Sequence, residues 1–489
     1  MAYVAYVTQL KNLRKHPNAD RLQLGECFGN TVCVSMDYVD GQVGVYFPTD
    51  GQLSVEYAEH NNLLRKKDAE GNNIGGYMDP NKRNVTSIKL RGEKSDGLFM
   101  PLHSLDYCYE DGTATGKLKV GDTIDVVNGH DICTKYIPVR KNRSGHVSEG
   151  NKTRKKKVPV APLFTEHADT EQLAYNLAAF KAGDELEITL KMHGTSQRTG
   201  YLPVYEGEKK TLLQKLFRKP GTPVYNWGYV SGTRRVVLED FAGGFYGSNQ
   251  FREQHSKVFE GKLHKGETVY YEVVGFTTDG APIMGDASNK KLNDSEFVKK
   301  YGETTRFSYG CEPEGYVMMR GEDEFGTFSI PVAKPQSDIY VYRMTITNED
   351  GDVVEYTPEF MRYRCEQMGV KTVPVFARVS VKEDAVVHHR ADGSVCVTYL
   401  EGETEADTKS IGDAVREIAE MYYDGEDPVG RTHVREGVVV RIVNRPKFAA
   451  YKHKNWYFKA LEGIVKVDAE APDMEEAQDV AEEETNDGV

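Results

Sequence analysis

Lys191 stands in the run KMHGTS (Lys191–Ser196), which ends a segment whose Leu186, Ile188 and Leu190 alternate with polar residues as a strand does. Further short runs follow in order: VSGTRRV with Arg234 and Arg235, YYEVVG with Glu272, DIYVYRM with Tyr340 and Tyr342, REGVVVRI with Glu436, and YKHKNWYF with Lys452 and Lys454. Each alone is ordinary, and a lone strand-end lysine is most often a solvent-facing cation. In combination they offer a nucleophilic amine surrounded by groups that handle phosphate. A lysine at its usual pKa of about 10.4 is an inert cation, so such an amine needs positive charge beside it. Lys452 and Lys454 lie two apart, on one face of a strand, and can approach one phosphate group together. Either Arg234 or Arg235, after a Ser-Gly-Thr turn, can clamp phosphate oxygens with a guanidinium fork. Glu436 opens the apolar run GVVV, where an acid can hold a hydrated Mg²⁺. Glu272 shares its strand face with Tyr270 and Val274, so it needs an arginine or a ligand as partner.

The elements that must position these residues divide the chain unevenly. Over residues 1–130, VAYVTQL, RLQLGECF, TVCVSMDYV, QVGVYFPT and DTIDVV read as short strands between turn signals, which suits a small OB-like β-barrel. The segment HPNADRL (His16–Leu22) resembles one found in tRNA-binding OB domains. Residues 131–165 form a basic linker, and KYIPVRKNRSGHVSEGNKTRKKKVP within it is either a phosphate-gripping segment or a solvated connection. Residues 166–465 alternate strands and helices in a larger α+β domain. Helices are predicted from an Asp169 cap to Gly183 and near 291–301, 359–368 and 411–423. Residues 466–489 read as an acidic, disordered tail, with ten Asp or Glu from Val467 onward and no Lys or Arg.

At this point the motif order resembles the covalent nucleotidyltransferases, the superfamily of ATP-dependent RNA and DNA ligases and RNA capping enzymes. The resemblance covers roughly residues 185–463, and KMHGTS looks like the RNA-ligase branch. It implies an N-terminal OB domain followed by a nucleotidyltransferase domain, ATP-grasp-like and built on antiparallel sheet. By resemblance Lys191 attacks the α-phosphate of ATP to give lysyl-AMP, AMP passes to an RNA 5′-phosphate, and a 3′-hydroxyl displaces it. His193 stands where DNA ligases and capping enzymes carry Asp, and the resemblance gives it a part in the later, nucleic-acid-dependent steps. Tyr342 matches the aromatic that stacks on adenine, but Arg343 follows it in place of the usual Asp, which leaves Tyr340 open as the stacking ring. Glu272 corresponds to an acid that contacts the nucleotide sugar or the metal shell. The nucleotide-binding set is then Lys191, Arg234, Arg235, Glu272, Tyr342, Glu436, Lys452 and Lys454. Glu436 and Glu272 would serve Mg²⁺ or Mn²⁺, and Lys191 and His193 would be catalytic. Capping enzymes and most DNA ligases place an OB domain after the last motif, whereas only about thirty residues follow Lys454 here.

Composition is compatible with this reading. The 489 residues carry a formal charge of −13, yet without the ten tail carboxylates the remainder is near −3, so a nucleic-acid partner is not excluded. Seven singly placed cysteines signal neither a disulfide framework nor a zinc knuckle and suggest reduced thiols in the cytoplasm. No apolar run reaches the ~18 residues of a membrane span, and the N-terminus lacks a secretory pattern. There is no Walker A, H-E-x-x-H or G-x-S-x-G motif. The expectation is a monomeric RNA-repair ligase acting on nicked or broken RNA ends, with a DNA strand admissible as template. The alternatives are a DNA ligase or guanylyltransferase using the same chemistry, and a non-catalytic OB-type nucleic-acid-binding protein.

Overall fold

The computed structural model describes residues 3–49, 51–67, 73–91, 93–136, 159–167, 170–211, 221–238, 241, 246, 248–292, 294–324, 326–402, 408–461 and 465–466. It is a mixed α/β chain, mostly sheet, and forms two compact units. One is built mainly on Met1–Val139 and the other mainly on Arg140–Lys290 and Asp294–Phe458. Asp169, most of the basic linker and the acidic tail lie outside the described residues. Among the described residues no helix is long and apolar enough to cross a membrane. All seven cysteines are unpaired.

In the N-terminal unit the strands expected from the sequence form at Ala5–Gln9, Leu22–Cys27, Asn30–Ser35, Val43–Phe47 and Thr123–Ile124. Leu98–Pro101, Val43–Phe47, Ala5–Gln9 and Thr123–Ile124 make one four-stranded sheet in that order. Lys11–Lys15, Leu22–Cys27 and Asn30–Ser35 make a three-stranded sheet. Ala5, Val45, Phe47, Leu53 and Tyr57 bury their side chains in one core. Among the described residues no sheet closes on itself, which differs from the barrel expected. Turn punctuation locates these five strands, but closure depends on tilt and stagger, which composition does not encode. His16 of HPNADRL is buried and holds a turn: its Nδ1 accepts from Asn18 N at 3.0 Å, which leaves Nε2–H to donate to the Leu90 carbonyl at 3.1 Å.

The strands that build the two large sheets of the C-terminal unit are numbered in chain order. They are β1 (Glu171–Gln172), β2 (Glu185–Leu190), β3 (Thr195–Lys209), β4 (Thr222–Gly232), β5 (Val237–Leu238), β6 (Glu267–Gly275), β7 (Ser337–Thr347), β8 (Val353–Glu355), β9 (Val375–Val381), β10 (Ala385–Arg390), β11 (Val395–Tyr399), β12 (Gly437–Ile442) and β13 (Ala449–Lys454). One seven-stranded sheet runs β1-β13-β12-β2-β9-β10-β11, antiparallel except for the β1–β13 pair. The other runs β5-β4-β3-β6-β7-β8, with Lys371–Thr372 alongside β7. Three helices expected from the sequence form: α1 (Ser295–Tyr301), α2 (Pro358–Met368) and α3 (Ile411–Tyr423). Ser410 caps α3 by accepting from Asp413 N at 3.1 Å, and Ala414, Val415, Ile418 and Ala419 form its buried stripe. That stripe packs on Leu186, Ile188, Val379, Val386, Val438 and Val440 of the first sheet, so this face of the sheet is its apolar one.

The helix predicted toward Gly183 is absent. The described part of that segment is β1 followed by two 3₁₀ turns, Leu173–Tyr175 and Leu177–Ala179. Leu173 and Phe180, placed on one helical face by the sequence, are buried in the core beneath α3 from an irregular backbone. Tertiary packing overrides local periodicity here.

Glu267, at the start of β6, is fully buried and is clamped by Arg364 of α2, whose Nε and Nη2 reach its two oxygens at 2.9 and 2.8 Å. Tyr356 Oη and His264 N donate to the same carboxylate. Removing one member strands the other charge in the interior. Glu267→Ala should therefore lower stability by about 3–5 kcal/mol, and adding Arg364→Met should recover part of that loss in thermal denaturation.

Candidate nucleotide-binding cleft

The polar face of the first sheet and one face of the second line a common cleft. Its walls include Glu187, Thr189, Leu190 and Lys191 from β2 and its end, Val439 and Arg441 from β12, Ala450 and Lys452 from β13, Glu272 from β6 and Tyr342 from β7. His167, Arg234, Phe448 and, from α2, Met361 and Arg362 also line it.

Lys191 leaves β2 with its backbone N bonded to Gly437 O at 3.0 Å, which ties the KMHGTS turn to the start of β12. Its Nζ lies 2.6 Å from Glu436 Oε1, and Lys454 Nζ reaches the same oxygen at 3.1 Å. Glu436 is 1% exposed. Burial alone would raise its pKa, but Lys191 and Lys454 outweigh that and bring it down to about 2. Glycines enforce this close packing. A Cβ on Gly194 would lie 2.4 Å from the Val273 carbonyl, and one on Gly437 (φ +148°) would lie 2.1 Å from that of His453.

His193 is buried edge-on between Phe307 and Phe458, each 4.6 Å away, and its backbone N donates to Tyr309 Oη at 2.9 Å. Burial, with Lys454 and Lys191 adding to it against the pull of Glu436, moves its pKa down to about 3. The ring is therefore neutral, and its 3.7 Å approach to Glu436 is not an ion pair.

Across the cleft, burial pushes the Glu272 carboxyl up to about 7, against the pull of Lys191 and Arg234. Of the arginine pair, Arg234 lines the cleft while Arg235 is exposed and turned away from it. The Arg234 carbonyl accepts from His167 N at 3.0 Å and from the buried Arg198, whose guanidinium stacks 4.4 Å from Phe164. Lys452 and Lys454 share a strand face as expected but take different posts, Lys452 in the cleft and Lys454 against Glu436. The adjacent His388 and His389 diverge: His388 is buried with Nε2 2.8 Å from Tyr422 Oη, and His389 is exposed.

A β-bulge settles the aromatic register. Tyr270 faces Arg343 and Tyr271 faces Val341, which leaves Tyr342 as the extra residue. Tyr342 and Arg343 consequently point to the same side. Tyr342 Oη lies 2.9 Å from Ser196 Oγ and its ring lines the cleft. Tyr340 does not line it, and lies 5.6 Å from the Lys371 ammonium. Arg343 pairs with Glu355 and stacks 4.5 Å from Tyr270 and 4.4 Å from Phe448.

His167, Glu187, Arg362, Arg441 and Phe448 were not singled out by the sequence. Arg362 Nη1 meets Glu187 Oε2 at 2.8 Å, and Arg441 meets Glu355 at 3.4 Å. His167 Nδ1 accepts from Arg343 Nη1 at 3.0 Å, and burial holds its pKa well below the usual value. The usable signal for Glu187 and Arg441 was the polar half of the strand alternation, ordinarily read as the solvent side.

Among the described residues no group of three or more His, Cys, Asp and Glu is arranged as a metal site. Glu436 Oε2 is buried without a hydrogen-bond partner, and Glu272 resists ionisation in this cleft. Such a pair fits a hydrated dication that takes few carboxylates and completes its shell with water and phosphate oxygens.

No protein-family model matches the chain, and no curated protein matches it by sequence. Among solved structures it is similar to an RNA ligase from Naegleria gruberi. A variant of that ligase with ATP and manganese is 15% identical, with 94% of this chain and 98% of that one covered at a TM-score of 0.50. A variant with AMP and manganese is 15% identical, covering 92% and 96%, also at 0.50. An apo variant is 16% identical over the same shares, again at 0.50. At this identity the likeness is one of fold.

An acid whose pKa is raised in the folded state costs stability once pH passes its unfolded value. Glu272 should therefore destabilise the metal- and nucleotide-free protein progressively between about pH 4.5 and about 7, and by a constant amount above. Glu272→Gln should be more stable than wild type at pH 8, by on the order of 3 kcal/mol, and the gain should vanish near pH 4. A gain independent of pH in thermal melts would contradict the assignment.

Proposed function

We propose that the chain is an ATP-dependent RNA ligase that joins 3′-hydroxyl to 5′-phosphate ends in RNA repair. The observation that carries this reading is the juxtaposition of Lys191 with the buried Glu436 and Lys454 at one end of a cleft that also holds Arg234, Glu272, Tyr342 and Lys452. The RNA-ligase fold supports it. In this reading residues 1–130 are an OB-like domain, 131–165 a basic linker, 166–465 the adenylyltransferase domain and 466–489 an acidic tail. The protein acts as a cytoplasmic monomer on nicked or broken RNA ends.

In the first step neutral Lys191 Nζ forms a bond to the α-phosphorus of ATP as the bond to the bridging oxygen breaks. Pyrophosphate departs, and the nitrogen gives up one of its two protons to solvent, keeping the other as the phosphoramidate N–H. Tyr342 stacks on adenine, and Arg234 and Lys452 hold phosphate oxygens. The 2.6 Å contact with Glu436 holds the Lys191 amine, which is freed only when that carboxylate is otherwise occupied. Glu436 and Glu272 would hold Mg²⁺ or Mn²⁺, which supplies positive charge at the reacting phosphate. AMP then moves to an RNA 5′-phosphate, and the 3′-hydroxyl of the second end displaces it. His193, neutral and fixed between two rings, serves these later steps.

Incubation with ATP labelled at the α-phosphate, plus Mn²⁺, should leave label on the denatured protein. Lys191→Ala should abolish it, and GTP should not replace ATP. Because only Arg234 faces the cleft, Arg234→Ala should reduce labelling at least about tenfold, whereas Arg235→Ala should stay within about twofold. Absence of label on wild-type protein stripped of AMP would overturn the enzyme reading.

A further inference from the structure

β3 and β4 extend together well past the rest of their sheet. Their register places Tyr201 opposite Tyr229, Pro203 opposite Trp227 and Tyr205 opposite Tyr225. These six residues occupy one face of the arm, and all are half-buried. The opposite face carries Leu202 and Val230, which are buried against Ala161 and Phe164. The apolar packing of the arm is therefore met on that side; on the aromatic side Tyr229 Oη accepts from Gly261 N at 2.6 Å and Tyr225 Oη donates to the Pro159 carbonyl at 3.3 Å, while the rings stay half-exposed.

The rings form a ladder. Tyr201 and Tyr229 stack at 4.7 Å and 26°, Trp227 lies 5.9 Å from Tyr201, and Tyr205 lies 5.9 Å from Tyr225. Lys265, exposed, sits 5.2 Å over the Trp227 ring. Lys209 and Lys210 are exposed at the far end of β3. The arm's two nearby carboxylates are already engaged, Glu206 with Asn226 and Glu208 with Lys210 and the Gly221 N–H. From Lys209 to Lys219 the sequence carries five cations and no carboxylate. Rungs two residues apart repeat at roughly 6.6 Å, about twice the ~3.4 Å rise of stacked bases along a strand, so every second base of a stacked strand comes level with a rung.

We propose that this aromatic face is a binding track for single-stranded RNA, whose bases stack on the rungs at Tyr201–Tyr229, Trp227 and Tyr205–Tyr225 and whose phosphates run beside Lys209, Lys210 and Lys265. Aromatic rings interleaved with cations are the recurring solution for gripping single strands without reading sequence. Cation–π contact with Lys265 keeps the Trp227 ring in an electropositive setting. The identification of the polymer as RNA rests on the ligase reading above; the stacking face itself does not.

The test is fluorescence anisotropy with the full-length protein and a labelled single-stranded RNA of about a dozen nucleotides lacking a 5′-phosphate. Lysyl-adenylate formation from ATP alone is measured in parallel. Trp227→Ala, and separately Tyr205→Ser with Tyr225→Ser, should each weaken RNA binding about tenfold or more while adenylylation stays within about twofold. Trp227→Phe, which keeps a stacking ring, should retain most of the affinity. An abasic RNA of equal length should bind wild type about as weakly as the intact RNA binds the variants. Unchanged RNA affinity in the variants, or equal wild-type affinity for abasic and intact RNA, would overturn the proposal and leave the ladder to a protein partner or to packing alone. The tip pair Tyr205 and Tyr225 guards against a folding artefact at Trp227. Failure of wild type to become adenylylated would sink the ligase reading without touching the anisotropy result.

Discussion

One buried carboxylate organises the C-terminal unit. Glu436 receives both Lys191 and Lys454 on the same oxygen in a place almost free of water. Three charges in a dry site are expensive, and pairs of this kind seldom add net stability. The surrounding structure must therefore be over-determined. Gly194 and Gly437 let backbones touch, Lys191 N is fastened to Gly437 O, and Asn455 N binds the Glu436 carbonyl at 2.7 Å. The unequal charge count leaves a net positive corner, which suits an anion arriving from the cleft.

The same arrangement explains why the two sheets are amphipathic in an unusual sense. The apolar face of the first sheet meets α3, while its other face carries Glu187, Arg441 and Lys452 into the interior. Glu187 and Arg441 are buried, and Lys452 half-buried, because they face another sheet across a cleft. Their charges are matched in pairs, Glu187 with Arg362 and Glu355 with Arg343 and Arg441, so that the walls hold their shape before any ligand enters.

Much of this was legible from spacing. The alternation in ELEITLKMHG fixed β2 and placed Lys191 at its end, and the two-residue offset put Lys452 and Lys454 on one side of β13. The choice between Arg234 and Arg235 was not legible, because both orientations of a turn are open until the Arg198 and His167 contacts pin the Arg234 carbonyl. His167 itself left no trace, since its partners Tyr342, Arg343 and Phe448 are remote in sequence. The missing helix before Gly183 shows the converse: a sound local pattern gave way to a core that needed Leu173 and Phe180 from a different backbone. Five strands of the N-terminal unit were accessible, while its further short strands and the closure were not, because hydrogen-bond stagger is a property of pairs of strands.

The bulge at Tyr342 has a consequence for how this strand tolerates change. In a regular strand, inserting or losing one residue reverses every side chain beyond it. Here the extra residue is absorbed locally, so Tyr340 and Arg343 keep the face of Glu272 and Tyr270 although an odd number of positions separates them. The segment behaves like a clock that has been stopped for one tick and restarted. Two relatives with and without the pause would display the same surface from sequences that align one position apart, and a comparison that forbids gaps inside strands would score their shared residues as different.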